Sequence, residues 1–291
     1  MKFVIDDFVK ALEEVIWPTD QVVIIHSGIW TFGHLLGVPI SQVPDAILDA
    51  ISGVVGEERT LLMPTFTLSY TKTRTFNLLE TKPETGILGQ ALLKHTGALR
   101  TISALNSFAA KGPHSGFVRD LQGKTLWGEG TIWEWFEQVD ARICSIGLPL
   151  LRAISIAHRA EEIAQVPYRY FKTFKGTWCD GRGNVKDWKE TMFVRALAAR
   201  LNYEPIVESL NKRSLVLTPK GRIPVESALS HDIVQVTLEL LKGDPLIFVS
   251  NRGEICDWIK NERETEISQL SRGERSVNYL LRKEFSYDSP S

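Results

Sequence analysis

A histidine and a glutamate, His158 and Glu161, stand three residues apart in the stretch SIAHRAEEIA, whose apolar spacing predicts a helix. Side chains at positions i and i+3 of a helix are neighbours, so the carboxylate can bind the imidazole directly. Such a contact fixes the tautomer and stabilises the imidazolium, which lets a histidine act as a general base near neutral pH. Because a histidine beside a glutamate is more often a structural pair, the catalytic interpretation depends on the elements that position it.

Three apolar, β-branched runs predict strands that are buried on both faces of a sheet. They are QVVIIHSG (21–28), RTLLMPTFTL (59–68), in which Pro64 ends the strand, and ARICSIGLPL (141–150). A helical pattern, VPDAILDAISGVV, separates the first two, which is the βαβ order of a parallel sheet. The third run leads into SIAHRAEEIA, so we expect His158 just beyond the carboxyl end of a strand, where α/β folds bind their ligands.

Weaker patterns predict the remaining elements of an α/β fold with a central β-sheet flanked by helices and a smaller, β-rich C-terminal portion. They are a helix over 5–17, a long loop over 69–84, a hairpin within 168–188, a helix over 192–204, an edge strand within 213–228 and a helix from Ser230, its expected N-cap. We predict one domain over residues 1–260, followed by a charged tail or helix over 261–291.

Composition excludes several classes of function. A net charge of −1 argues against a nucleic-acid or membrane-surface protein. Cys144, Cys179 and Cys256 are too widely spaced for a disulfide framework or a zinc site. The first residues, MKFVIDDFVKALEEVIWP, carry acidic side chains within their apolar stretch, which is not the pattern of a signal peptide. We therefore expect a cytoplasmic protein without a membrane span, whose partners are small molecules.

Five segments with chemically suggestive residues follow one another along the chain. They are His26-Ser27-Gly28, LLMPTFT (61–67), TKPETGILGQ (81–90), RTISALNSFAAKG (100–112) and SIGLPLLRAISIAHRAEE (145–162). Their order and spacing resemble the aminoglycoside 3-N-acetyltransferase family, from about residue 20 to residue 176 and more loosely beyond.

The resemblance implies that family's α/β fold and a reaction in which acetyl-CoA, as co-substrate, gives its acetyl group to an amine, typically on an aminoglycoside ring. His158 and Glu161 match the family's T-x-x-H-x-x-E pattern as base and orienting partner, with Ser155 at the position of the threonine. No metal is implied. The positions that match those lining the CoA arm and the thioester are His26, Ser27, Gly28, Pro64, Thr65, Ser103, Ser107 and Phe108.

Departures from the family pattern concern the acceptor. Ser103 and Ala104 replace a histidine-proline pair. The loop expected near the acceptor carries more basic than acidic residues, namely Lys72, Arg74 and Lys82 against Glu80 and Glu84. An aminoglycoside carries several positive charges and favours an acidic pocket. We therefore expect a smaller or anionic amino sugar, such as a nucleotide-linked one, as the acceptor.

Alternative functions remain open at this stage. The chain could use another acyl donor, act on aminoglycosides, or bind ligands without catalysis, and the sequence does not distinguish N- from O-acylation. Cys144 with His158 would be the pair for a thiol-dependent acyltransferase, although Cys144 lies in a strand expected to be buried. A homo-oligomer is neither indicated nor excluded. Trp127, Trp133 and Trp135 are expected to pack in the core or to border the acceptor pocket.

Overall fold

A computed structural model describes residues 2–29 and 31–271. The strands within these residues, in chain order, are β1 (Lys2–Phe3), β2 (Val22–Ser27), β3 (His34–Leu35), β4 (Thr60–Pro64), β5 (Thr75–Asn77), β6 (Leu99–Arg100), β7 (Phe108–Lys111), β8 (Arg142–Ile146), β9 (Arg169–Cys179), β10 (Val185–Arg195) and β11 (Val225–Leu229). The helices are α1 (Ile5–Val15), α2 (Val43–Val55), α3 (Tyr70–Thr73), α4 (Ile87–Leu92), α5 (Ser115–Arg119), α6 (Ile132–Gln138), α7 (Ala157–Ile163), α8 (Glu204–Lys212), α9 (Ser230–Gly243), α10 (Arg252–Asn261) and α11 (Arg263–Ser271).

The central sheet is mixed, with the strand order β11-β8-β2-β4-β7-β6. Its middle strands, β8, β2 and β4, are the three predicted buried runs, and β2 pairs in parallel with both neighbours. The outer pairings, β11 with β8, β4 with β7 and β7 with β6, are antiparallel. Because β2, β4 and β8 are parallel, their carboxyl ends and the loops that follow them meet at one edge of the sheet.

Helices cover both faces of the central sheet, which explains why β2 is apolar without interruption. Successive side chains of a strand point to opposite faces. Val23 and Ile25 belong to a core formed with α1, α2 and α4. Val22 and Ile24 belong to a second core formed with α6, α7, α8 and α9. The predicted α/β class with a central sheet flanked by helices is therefore confirmed.

A second sheet of three strands has the order β10-β9-β5. Its β9–β10 pair is the predicted hairpin. The prediction of a loop over 69–84 is wrong in part, because that segment contains α3 and also β5, which pairs in parallel with β9. No alternation of apolar and polar residues marks so short a strand, and its partner lies about a hundred residues away along the chain.

The predicted helix over 192–204 is wrong. β10 continues to Arg195, which is paired with Arg169 across the hairpin. Phe193 and Val194 are buried there, and the chain then turns before α8 begins at Glu204. Local helix propensity in this alanine- and leucine-containing segment is overridden by strand pairing and burial.

The chain beyond the hairpin is mainly helical, and its one described strand, β11, is the predicted edge strand of the central sheet. Ser230 is the first residue of α9 rather than its N-cap, and its hydroxyl donates to the carbonyl of Phe136 at 2.6 Å. In the predicted tail over 261–291, residues 263–271 form α11, and residues 272–291 lie outside the described part. One domain over 1–260 stays a prediction. None of the described helices has the length and apolar character needed to cross a membrane.

A buried ion pair joins the central sheet to the end of α1. Arg142, the first residue of β8, donates to Asp20 through Nε at 3.0 Å and Nη2 at 3.1 Å. The two side chains are only 3% and 6% exposed. Asp20 also accepts a hydrogen bond from the backbone N–H of Trp17 at 2.6 Å.

We predict that Asp20→Ala lowers the free energy of unfolding by about 3 kcal/mol or more, because it leaves the guanidinium buried without its counter-charge. Chemical denaturation with a fluorescence readout measures this change. The matched control is Asp120→Ala, which breaks an exposed pair with Arg119 and should cost less than about 1 kcal/mol. Equal effects of the two substitutions would contradict the predicted role of burial.

Candidate active site

His158 and Glu161 are in contact on α7, as their spacing predicts. The chain leaves β8, passes through a short 3₁₀ turn over Leu150–Arg152 and enters α7 at Ala157. The Nδ1 atom of His158 lies 2.7 Å from Oε2 of Glu161. The glutamate side chain is fully buried, whereas that of the histidine is 28% exposed. The imidazole is therefore the member of the pair that a ligand can reach.

The Glu161 carboxylate receives hydrogen bonds from elements other than α7. Tyr168 donates to Oε1 at 2.8 Å, and Tyr203 lies 3.1 and 3.2 Å from the two oxygens. The Nη2 atom of Arg169 lies 3.0 Å from Oε2. Burial alone would raise the pKa of Glu161, but Arg169, His158 and Tyr168 together lower the pKa to about 2. The carboxylate is therefore ionised throughout the neutral range.

The ionised carboxylate determines the tautomer of His158. A carboxylate without a proton can only accept, so Nδ1 of His158 must carry the proton and donate it to Glu161. The Nε2 atom then has a free lone pair and can accept a proton. Arg169 Nη2 also lies 3.1 Å from Nδ1, and it donates to the Tyr203 hydroxyl at 2.8 Å. This arrangement presents a neutral, oriented imidazole.

Aromatic rings surround the imidazole of His158. The ring of Trp127 packs edge-on at 5.0 Å between centroids, and that of Tyr203 at 5.7 Å. Trp133 continues the row, 4.6 Å from Trp127. The indole N–H groups of Trp127 and Trp133 are buried and have no hydrogen-bond partner within the described residues. The tryptophans thus pack in the core, as expected, and Trp127 also forms one wall of the site.

The loop after β2 packs against the loop after β8. Gly28 donates to the carbonyl of Ile146 at 2.8 Å, and a Cβ atom on Gly28 would lie 2.5 Å from the side chain of Leu148. His26 is buried beside Ser145, and burial lowers its pKa to about 4, so it is neutral near pH 7. Ser27 is half-buried. Ser27 and the backbone of Gly28 are therefore the parts of this loop that a ligand can reach.

Pro64, Thr65, Ser107 and Phe108 are brought together where β4 pairs with β7. The Thr65 hydroxyl donates to Ser107 Oγ at 3.0 Å, and Ser107 donates to the Thr65 carbonyl at 2.7 Å. Arg100 donates to both residues, at 3.1 Å to Ser107 Oγ and at 2.9 Å to the Thr65 carbonyl. Because Thr65 and Ser107 are fully buried, their hydroxyls hold the loop rather than face a ligand.

Ser103 occupies a separate network with a buried glutamate of β10. Its hydroxyl donates to Glu190 at 3.2 Å, and the backbone N–H of Leu105 donates to the same oxygen at 2.9 Å. Ala104 N–H and Trp188 Nε1 donate to the other oxygen. Burial raises the pKa of Glu190, and these donors oppose that effect. A cleft beside this network is lined by Ser103, Asn106, Lys124, Thr125, Trp133 and Glu190.

The predicted site residues therefore form separate groups. Phe108 is linked to His158 only through a row of rings, since Phe108 packs at 5.4 Å from Trp133 and Trp133 contacts Trp127. Cys144 is fully buried, and burial raises the pKa of its thiol, so it does not suit a nucleophile. Among residues 2–29 and 31–271, no cluster of three or more His, Cys, Asp or Glu side chains could hold a metal ion.

Sequence reasoning missed three residues that contact the pair: Tyr168, Arg169 and Tyr203. Tyr168 and Arg169 follow α7 closely, but no helical spacing relates them to it. Tyr203 is 42 residues from Glu161 along the chain. The one available signal is a basic and aromatic stretch, YRYFK, directly after Val166-Pro167. Only the folded hairpin brings this stretch back to α7.

Comparisons with known proteins point to one family. The sequence model for aminoglycoside 3-N-acetyltransferase matches residues 24–242. Among solved structures, AAC-IIIb in binary complex with CoASH is 17% identical with a TM-score of 0.70, and covers 86% of this chain and 99% of its own. Aminoglycoside acetyltransferase AAC(3)-IVa, as the apoenzyme, is 20% identical with a TM-score of 0.68, and covers 91% and 98%. AAC(3)-Xa is 18% identical with a TM-score of 0.68, and covers 83% and 93%. The search of curated proteins finds no match.

We predict that Glu161 makes folding stability depend on pH in acid. Its pKa falls from 4.5 to about 2 on folding. The stabilisation is thus complete above about pH 4.5 and is lost as the pH falls toward 2, by roughly 2 kcal/mol at pH 3. Unfolding free energies measured from pH 7 to pH 3 should therefore converge for the wild type and Glu161→Gln.

The control for this prediction is Glu208→Gln, which alters an exposed carboxylate of α8. Its difference from the wild type should be small, below about 0.5 kcal/mol, and should not change with pH. A constant gap between the wild type and Glu161→Gln would mean that the buried carboxylate is not ionised in the folded protein.

Proposed function

Because the chain belongs to the aminoglycoside 3-N-acetyltransferase family, it is an acetyl-CoA-dependent N-acetyltransferase, and we propose that His158 is the general base of its reaction. The observation that carries this proposal is the contact between His158 and a buried, ionised Glu161. The contact holds the proton on Nδ1 and leaves Nε2 to accept a proton from the acceptor. The partial exposure of the imidazole supports the same role.

The donor is acetyl-CoA, which supplies an activated acetyl thioester when bound. A structural neighbour, AAC-IIIb, was solved in complex with CoASH. In this chain Ser27, Gly28 and the backbone of Pro64 would hold the donor, since they lie at the carboxyl ends of adjacent parallel strands. Thr65 and Ser107 would position this loop from within. A Cβ atom on Gly89 would clash with the Pro64 carbonyl, so α4 packs closely against the same tip.

His158 acts by deprotonating the attacking amine. An amine that is an ammonium ion in water has no lone pair, so it must lose a proton before it attacks a carbonyl carbon. Nε2 accepts this proton as the new C–N bond forms and the C–S bond breaks. Glu161 stabilises the resulting imidazolium through Nδ1, and the proton finally returns to the thiolate that leaves. No covalent acyl-enzyme is required.

We propose an amino sugar as the acceptor, including nucleotide-linked amino sugars, which are anionic. The acidic residues of the 69–84 segment are engaged within it. Both oxygens of Glu84 accept from the backbone N–H of Ser69 at 3.1 Å, and Glu80 accepts from Asn77 at 2.8 Å. Lys72 and Lys82 remain exposed. This distribution of charge suits a neutral or anionic ligand better than a polycation.

Aminoglycosides are the second candidate acceptor class. A histidine-to-alanine mutant of AAC(3)-IVa, 19% identical to this chain, was solved in complex with a gentamicin. The name of the family supports the same class. The buried Glu190 beside the cleft is the acidic group of this chain that would favour a cationic acceptor. Its four hydrogen-bond donors already compensate much of its charge, which weakens this candidate.

We predict that acetyl-CoA will release free thiol with an amino sugar or a nucleotide-linked amino sugar, and at least tenfold more slowly with kanamycin or gentamicin. A thiol-release assay with this panel, with product mass measured in parallel, makes the comparison. Faster turnover of the aminoglycosides would favour the second candidate. Silence with every acceptor, together with no binding of CoA in calorimetry, would favour a non-catalytic role.

We predict that His158→Ala lowers kcat by roughly two to four orders of magnitude, because it removes the base, while the Kd for CoA changes less than about twofold. His34→Ala is the matched control, since His34 is exposed on β3. Its kcat should equal that of the wild type. A parallel loss of turnover and CoA affinity in His158→Ala would contradict the assignment of a base.

A further inference from the structure

We propose that Arg169 is a positioning residue that keeps His158 unprotonated at the pH of the reaction by sharing the charge of Glu161. This inference rests on the proposed role of His158 as the general base. It adds a residue from the second sheet to the site and gives that residue an electrostatic task. Arg169 touches neither the acceptor nor the donor in this proposal, so it acts only through the histidine and the glutamate.

Arg169 is fixed in place by contacts on both of its terminal nitrogens. Nη1 donates to the carbonyl of Phe193, on the neighbouring strand of the hairpin, at 3.0 Å. Nη2 lies 3.0 Å from Glu161 Oε2, 2.8 Å from the Tyr203 hydroxyl and 3.1 Å from His158 Nδ1. The side chain is 7% exposed, so water screens these charges weakly. The guanidinium is therefore a fixed positive charge beside the imidazole.

The two fixed charges act on His158 in opposite directions. A buried carboxylate in contact with Nδ1 stabilises the imidazolium, and without compensation it would keep the histidine protonated before the substrate arrives. A base that is already protonated cannot accept a proton from the acceptor. The guanidinium of Arg169, at a similar distance from Nδ1, opposes that protonation. Glu161 can then orient the ring without trapping it in the charged form.

Other groups around His158 contribute little charge. Tyr168 and Tyr203 are neutral, and burial first and Glu161 second raise the pKa of Tyr168. Glu162, the next residue of α7, is bonded to Thr125, and burial raises its pKa. The contact from the loop before α6 is the uncharged ring of Trp127. Helix α9, which packs on α7, buries only uncharged side chains.

One further cation, Arg159, lies on α7 next to His158 in sequence. It is held by Glu134 and Glu137 of α6, at 3.3 and 2.5 Å. Its charge is therefore compensated away from the imidazole. Among the described residues, Arg169 is the cation within hydrogen-bonding distance of His158.

The test compares Arg169→Gln with Arg169→Lys in the dependence of kcat/KM on pH between pH 5 and pH 9.5. In Arg169→Gln the acid limb of the profile should move to higher pH by about one unit or more, because Glu161 loses its counter-charge. Activity should then fall about tenfold at pH 7 and recover near pH 9. Arg169→Lys keeps the charge, and its acid limb should stay within about 0.3 unit of the wild type. An equal loss of activity at every pH in Arg169→Gln would show a structural role and overturn the proposal.

A second measurement remains informative if Arg169→Gln folds poorly. Glu161→Gln is compared with the double variant Glu161→Gln/Arg169→Gln, which removes both charges of the buried ion pair and should therefore fold. The titration of the His158 ring is followed by NMR without substrates. The double variant should titrate at higher pH than the single one, by about one unit or more, because it lacks the guanidinium. Coincident titrations would overturn the proposal. Since this readout needs no turnover, it is separate from any failure of His158 as the base.

Discussion

The buried carboxylate of Glu161 is the constraint on which the rest of the site depends. A charge without solvent contact is tolerated only when it is paired and hydrogen-bonded. α7 supplies one donor, His158, and the remaining donors come from Tyr168, Arg169 and Tyr203. The hairpin and the segment before α8 must therefore pack against α7 for the fold to be stable. The requirement of one side chain thus ties the second sheet to the first and makes the position of the imidazole part of the fold.

The central sheet solves a different problem, which is to bring the donor-binding loops to one edge. Its parallel strands β8, β2 and β4 end together, and close glycine contacts set the loops that follow them. Arg100 then locks the tip of β4 from the inside through Thr65 and Ser107. The donor side of the site is shaped by backbone and buried polar groups, whereas the base is held by charge. A substitution in one of these groups should therefore leave the other largely in place.

Patterns within one element were predictable from the sequence, and contacts between distant elements were not. The β-branched runs identified β2 and β8, because strands covered on both faces need apolar side chains throughout. The i, i+3 spacing placed His158 against Glu161. No such periodicity connects Arg169 or Tyr203 to α7, and strand pairing overrode the helix predicted over 192–204. Polar residues at strand ends were also ambiguous, because sequence does not tell whether a hydroxyl such as that of Thr65 faces a ligand or the interior.

The departure from the family at Ser103-Ala104 shows how chemistry and specificity are separated in this fold. Glu190 of β10 accepts hydrogen bonds from Ser103 and from the backbone N–H groups of Ala104 and Leu105. A histidine at position 103 or a proline at position 104 would not supply this set of donors, because a proline has no N–H group. Glu190 and this turn therefore depend on each other, and both border the cleft. The base and its partners belong to α7, β9 and the segment before α8, so the wall of the cleft can change with the acceptor while the proton-transfer machinery stays the same.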